Sequence, residues 1–310
     1  MAGIWTMGEL LVEIMRPKAN MQLYEPGEFL GPFPSGAPAI FIDTVARLGY
    51  PAGIIGGVGE DDFGRCVVDR LKADRVNCDY IQWFSDGTTA VAFVTYFEDG
   101  SRKFIFHFGK TPAVMAKFTG KESVNHPDFF HVMGCSLMAN DEFRSQIFKA
   151  VDFFFKNGTR ITFDPNIRAE LLRDKNIDDI VRPVLEKCSI LFPGEQELYL
   201  LTGETEISKS AKKLFKNLSL EIIVVKRGKE GCKIFTPEKI VDVLAYAVPE
   251  IDPTGAGDCF DAGFLCGLLE NRPIYDCGRM AVAVGALNAQ AFGPMEGDIS
   301  INTVKAIMEE

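Results

Sequence analysis

Residues 252–258 read DPTGAGD, between an extended run, VDVLAYAVPEI, and an apolar run of helical character, CFDAGFLCGLL. Gly255, Ala256 and Gly257 are small enough for a ligand to approach the backbone, and a helix starting there offers unpaired N–H groups to an anion. Asp258 follows directly. A carboxylate beside an anion site repels its ligand unless it has a task. One such task is capping the helix, for which Asp is favoured. The other is general base catalysis. When an alcohol attacks a phosphoryl group, a carboxylate accepts the hydroxyl proton while N–H groups stabilise the transferred oxygens. Neither GxxxxGK[ST] nor GxGxxG occurs, which disfavours P-loop and dinucleotide-binding readings.

The elements that must position this junction follow a βα rhythm. From about residue 128, DFFHVMG, ITFDPN, SILFPG and EIIVVKRG alternate with segments of helical length, as expected for a parallel sheet covered on both faces. Upstream, an opening strand GELLVEI precedes the Pro/Gly-rich PGEFLGPFPSGAP and a helix from about Pro38 to Leu48, stopped by Gly49. A second βα unit follows in AGIIGGVGEDDFGRCVVDRLKADRV. TTAVAFVTYFEDGSRKFIFHF then reads as a β-hairpin turning at Asp99-Gly100. A hairpin inserted in a βα series projects from the main sheet, so a β lid is expected from about 9–34 and 88–110, within a single domain spanning 1–310.

Composition sets the limits. The chain has 310 residues, 47% of them hydrophobic, enough for a large core. A net charge of −10 argues against a nucleic-acid binder. No run of about 18 apolar residues and no secretion-type N-terminus is present, so the reading is a cytoplasmic protein with no membrane partner. The 8 cysteines are scattered without CxxC pairs and only 3 histidines occur, indicating neither a zinc site nor a disulfide framework.

DPTGAGDCFDAGF resembles the C-terminal signature of the ribokinase-like (PfkB) carbohydrate kinases. SGAPAIFIDTVARLGYPAGIIGGVGEDDFG is similar to their N-terminal signature. FDPNIRAEL at 163–171 resembles a strand-end motif of the fructokinase and 2-keto-3-deoxygluconate kinase branches, and LFPGEQELYLLTG followed by VVKRGKEG resembles their N-x-x-E and nucleotide segments. The resemblance implies a three-layer α/β/α ribokinase-like fold, a mostly parallel central sheet and a small β lid. It implies ATP and Mg²⁺ as cofactors, leaves K⁺ open, and makes a small sugar the phosphoryl acceptor. Asp258 becomes the base, with Gly255, Ala256 and Gly257 as its anion hole. Asp252 lies near a monovalent-cation site and would hold the loop, and Glu197 would help place Mg²⁺ and the phosphates. Lys226, Gly228 and Gly231 would flank the nucleotide. Glu13, Gly36, His107, Asn166 and Arg168 would line the sugar site.

Several positions depart from the family's pattern. Ile40 stands where an asparagine is common, Gly194 replaces the N-x-x-E asparagine, and Val282 replaces one near the adenine pocket. His107 stands near an arginine of the keto-acid kinases, which favours a neutral ketohexose, fructose or tagatose, over 2-keto-3-deoxygluconate. A catalytically silent sugar- or nucleotide-binding regulator is the rival from another class. A nucleoside kinase using Phe93, Phe104, Phe106 and Phe108 is the rival within enzymes. A homodimer through exposed lid strands is expected.

Overall fold

The computed structural model describes residues 3–120, 126–168, 172, 176–216 and 220–309. The tail of the FDPNIRAEL motif, residues 169–171, lies outside them. Its first half comprises β1 (Ile4–Met7), β2 (Leu11–Met15), β3 (Leu30–Ser35), α1 (Ala37–Arg47), β4 (Ala52–Gly59), α2 (Asp62–Ala73), β5 (Asn77–Phe84), β6 (Ala90–Tyr96), β7 (Arg102–His107) and β8 (Phe129–Met133). Then come α3 (Gly134–Ala139), α4 (Asp141–Lys156), β9 (Arg160–Asp164), α5 (Ile177–Leu185), β10 (Cys188–Leu191), α6 (Glu195–Thr202), α7 (Ile207–Leu214) and β11 (Ile222–Lys226). The last part holds β12 (Cys232–Phe235), β13 (Ile240–Val243), α8 (Ala256–Leu269), α9 (Ile274–Ala289) and α10 (Ile301–Glu309).

Nine strands form one sheet in the order β13-β12-β11-β10-β9-β8-β1-β4-β5. It is parallel except where β12 pairs antiparallel with β11 and β13. Strands such as FFHVM and CSIL are apolar along their whole length because helices cover both faces. On one side α1, α2, α8, α9 and α10 enclose a core containing Phe41, Val67, Phe264, Met280 and Val304. On the other, α3 to α7 pack through Leu137, Phe143, Ile180, Leu198 and Ala211. This is the three-layer α/β/α architecture that the sequence motifs imply.

The opening strand divides in two. IWTM joins the main sheet as β1, and after Gly8 the chain crosses to a second, four-stranded sheet of order β3-β2-β6-β7. Only a glycine fits at the crossing, since a Cβ on Gly8 would lie 2.2 Å from Pro38 Cγ. VDVLAYAVPEI also behaves differently from an extended run. It is a strand only to Val243, opposite Cys232 where β12 begins, so Leu244 onward has no strand to pair with.

The second sheet lies over the carboxyl edge of the main one, and its register fixes which side chains face the cleft. Residues directly opposite each other on paired strands share a face. Glu13, Ala92 and Phe106 therefore form one row and Tyr96 with Arg102 another, on the inner face. Val91 with His107, and Phe93 with Ile105, occupy the outer face.

Candidate active site

The turn between β13 and α8 is held from below by Asp252. One carboxylate oxygen accepts the Thr254 N–H at 2.9 Å and the Thr254 hydroxyl at 2.7 Å, and the Tyr96 hydroxyl at 2.7 Å. The other accepts the Gly293 N–H at 2.9 Å. Asn288 Nδ2 donates to the Thr254 carbonyl at 2.6 Å. Gly255 then takes the left-handed conformation, φ 77°, that a side chain disfavours. Helix α8 starts at Ala256 with Gly255 as its N-cap. Asp258 is thus the third residue of the helix and not its cap, which disposes of the bland reading of that acid.

Asp258 is buried, and one of its oxygens accepts from Asn166 Nδ2 at 3.1 Å. Burial pushes its carboxyl up to about 7, helped by the negative charge of Asp164 and opposed by Arg168 and Lys226. Asn166 is set by the end of β9, where its own N–H bonds Asp164 at 3.0 Å with φ 38°. Arg168, two residues on, has its guanidinium charge favoured by Cys135, Asp258, Asp164 and Glu197 despite burial.

Lys226, at the end of β11, donates to Asp164 Oδ2 at 2.7 Å and to both oxygens of Asp261 at 3.2 Å. Asp164 and Asp261 were not singled out in the sequence. Asp261 follows Asp258 by three residues in DCFD, a spacing that places both on one helix face and could have revealed it. The Asp261 carboxyl is raised by burial and Asp164 is held low by Lys226. Glu9 was also missed. It is buried between Ser136 Oγ, which donates to it, and Cys135 Sγ at 3.2 Å, and burial raises its carboxyl. An acid inside the apolar run GELLVEI was its signal.

Two cavities meet at the turn. A cleft of about 1020 Å³ runs along Lys226, Gly228, Gly231, Ala256, Gly257, Val282 and Ala286. Its walls are the glycine-rich strand end and the start of α8, and among the described residues Val282 offers it no polar group. A smaller cavity of about 60 Å³ is enclosed by Glu9, Glu13, Gly36, Ile40, Arg168, Gly255 and Asp258 on one side and Arg102, Phe104, Phe106 and Phe108 of the lid on the other. Ala256 and Gly257 face the first cavity while Gly255 and Asp258 face the second. Glu13 receives the Ser35 hydroxyl at 2.7 Å, and burial lifts it to about 7. Gly36, φ 107°, is required because a Cβ there would lie 2.5 Å from the Glu9 carbonyl.

His107 does not join this site. Its strand alternation turns it to the outer face, against Phe93 at 5.9 Å, and Arg102, Phe104 and Phe106 take the inner positions. Phe93 leaves the inner aromatic set for the same reason. Glu197 accepts the Ile167 N–H on one carboxylate oxygen and the Gly194 N–H on the other, each at 2.7 Å. It ties the start of α6 to the loop bearing Asn166 and Arg168, so it is not a solvated helix charge. Gly194 replaces an asparagine without loss of that bond, since it supplies only its backbone. Asp252 has four hydrogen-bond donors on its carboxylate, so it fixes the turn. No group of three His, Cys, Asp or Glu side chains gathers into a metal cage among the described residues.

A buried carboxylate at the start of a helix, between a nucleotide-sized cleft and a small polar cavity under a lid, suits an enzyme that moves a phosphoryl group to an alcohol. The comparisons agree. The model of the pfkB family carbohydrate kinases matches residues 31–301, and the chain belongs to that family and is a sugar phosphotransferase. It is similar to the fructokinase of Escherichia coli, 29% identical over 303 residues covering 93% of this chain and 96% of that protein. It also resembles a solved structure described as "a putative Ribokinase II in complex with ATP and Mg+2 from E.coli", with TM-score 0.91, 36% identity and coverage of 100% and 99%. A Vibrio cholerae O395 fructokinase bound to fructose, ADP and calcium is similar at TM-score 0.87, 26% identity and 99% coverage of each chain.

Proposed function

We propose that this kinase transfers the γ-phosphoryl group of ATP to a hydroxyl of a ketohexose, with fructose and tagatose the leading acceptors. The observation that carries the reading is the division of one turn between two cavities, with Ala256 and Gly257 lining the nucleotide side and Asp258 the acceptor side. ATP lies along Gly228, Gly231 and Gly257, with Lys226 beneath its phosphates. The sugar lies under the lid, its hydroxyls held by Glu13, Asn166 and Arg168. Asp258 removes the proton from the attacking hydroxyl, and the Gly255–Gly257 backbone stabilises charge on the transferred oxygens. Mg²⁺, when bound with ATP, would neutralise charge on its phosphates. Closing the lid excludes water that would otherwise accept the phosphoryl group. The similar fructokinases support a neutral ketohexose.

A second reading rests on one feature, the inward-facing Arg102. With Arg168 it gives the acceptor cavity two guanidinium groups, which suits the carboxylate of 2-keto-3-deoxygluconate. This weakens the argument against that acid drawn from His107. A coupled ADP-release assay across fructose, tagatose, ribose, 2-keto-3-deoxygluconate and adenosine tests both. The ketohexose reading requires the highest kcat/KM on fructose or tagatose, and a preference for the keto-acid transfers the assignment to Arg102. Adenosine is the expected failure: Phe104, Phe106 and Phe108 line the cavity, but the polar wall of Glu9, Glu13 and Arg168 opposite them suits hydroxyls. No turnover on any of these acceptors would leave the ketohexose reading without support. We propose cytoplasmic action, where ATP is supplied, and a homodimer joined through the outer lid face.

A further inference from the structure

The acceptor cavity of about 60 Å³ is roofed by Arg102, Phe104, Phe106 and Phe108 of the lid, so a movement of the second sheet widens or narrows it. Lifting that sheet disturbs more than the roof. Tyr96, the last residue of β6, sends its hydroxyl to Asp252 Oδ1 at 2.7 Å and also meets Thr254 Oγ1. Among the described residues it is the one side chain of the lid sheet that hydrogen-bonds the 252–258 turn. The lid touches the same carboxylate's second partner through apolar contact. Gly293 donates to Asp252 Oδ2, and the adjoining Phe292 ring meets Phe33 of β3 edge-on at 5.8 Å. Tyr96 is itself anchored, its carbonyl accepting from the Asn20 N–H at 2.8 Å.

We infer, resting on the kinase reading above, that Tyr96 is a positioning residue that couples lid closure to alignment of the phosphoryl-transfer turn. With the lid down, the hydroxyl completes the donor set of Asp252, and the Gly255–Gly257 backbone is held where it borders the two cavities. With the lid up, Asp252 loses that donor and the turn relaxes, so phosphoryl transfer is disfavoured until an acceptor is enclosed.

Tyr96→Phe keeps the ring and removes the hydroxyl. In the full chain with ATP and its best acceptor, kcat falls by about tenfold, the effect of one lost hydrogen bond of about 1.4 kcal/mol, while KM for ATP stays within about twofold. ATP hydrolysis per sugar phosphorylated rises. Because the hydroxyl acts through Asp252, Tyr96→Phe combined with Asp252→Asn is no slower than Asp252→Asn alone. Amide exchange in the unliganded protein speeds up at Thr254 and Gly255 and stays unchanged in β8 and β9. Unchanged exchange at the turn overturns the inference whatever the kinase assay shows, as does a variant with wild-type kcat and hydrolysis ratio. A wild-type chain that turns over no acceptor, yet shows the exchange effect, removes the kinase reading and leaves the latch standing.

Discussion

A carboxyl held near pH 7 is only half ionised at neutrality, and a protonated base accepts nothing. Asp258 is lifted to about 7 by burial and by Asp164, so kcat/KM should fall as pH drops below that value and reach a plateau above it. Glu13 is lifted to about 7 as well, so the observed limb belongs to both groups, and Glu13→Gln should leave the simpler single ionisation of Asp258. Arg168 pulls Asp258 down, so Arg168→Ala should move the midpoint upward and raise KM for the sugar more than for ATP. Asp258→Asn should lower kcat by ~100-fold to 10,000-fold with both ligands still bound. The same shift has a stability sign. A carboxyl whose folded pKa is raised stabilises the fold fully below the unfolded value of about 4 and loses that contribution as pH rises through about 7. At pH 8 Asp258→Asn therefore removes a penalty and should raise Tm, whereas at pH 4 the two proteins should melt together. A variant that turns over like the parent, or melts lower at pH 8, contradicts the assignment of the base.

At the scale of elements, the turn and its helix were legible because a left-handed Gly255, small neighbours and an apolar run admit few structures. Gly255 carries the strained conformation. Gly257 does not: its added Cβ would meet only Lys226 Nζ, at 3.8 Å. Gly257→Val should therefore fold normally, yet block the close approach of phosphates and abolish transfer; normal activity would count against the anion hole. The parallel strands were legible from their unbroken apolarity. β5 was not, because NCDYIQWF mixes polar and apolar residues at the sheet edge, and neither was the division of the opening strand, which depends on a contact between Gly8 and Pro38 far apart in the pattern. The lid register was the costliest gap. Sequence alternation shows that His107 and Phe106 point oppositely but not which faces inward. That depends on β2, which places Glu13 beside Ala92 and Phe106. Asp164 was hidden because its role arises from Lys226 and Asp261, on a strand and a helix distant in sequence, whereas Glu9 and Asp261 carried local signals.

At the scale of the whole molecule, the inner lid face lines the acceptor cavity, and the outer face keeps an apolar row beside the part that α2 and Phe29 cover. Ile14, Phe93 and Ile105 stand in one cross-strand row there, with Ile105 42% exposed, and β3 and β7 are open edges of the sheet. A second copy presenting the same row would cover both faces at once, as a two-fold interface requires. Ile105→Asp places a charge in that row without touching the acceptor cavity, since its register partner is Phe93 and not Ala92. Sedimentation should show a dimer for the parent chain and a monomer for the variant. Closure then gives the kinetic sign: a lid steadied by its twin holds Tyr96 against Asp252, so the monomeric variant should lose affinity for sugar and turnover together while ATP affinity is kept. A parent chain that sediments as a monomer at micromolar concentration would remove the dimer, and with it the idea that one lid steadies the other.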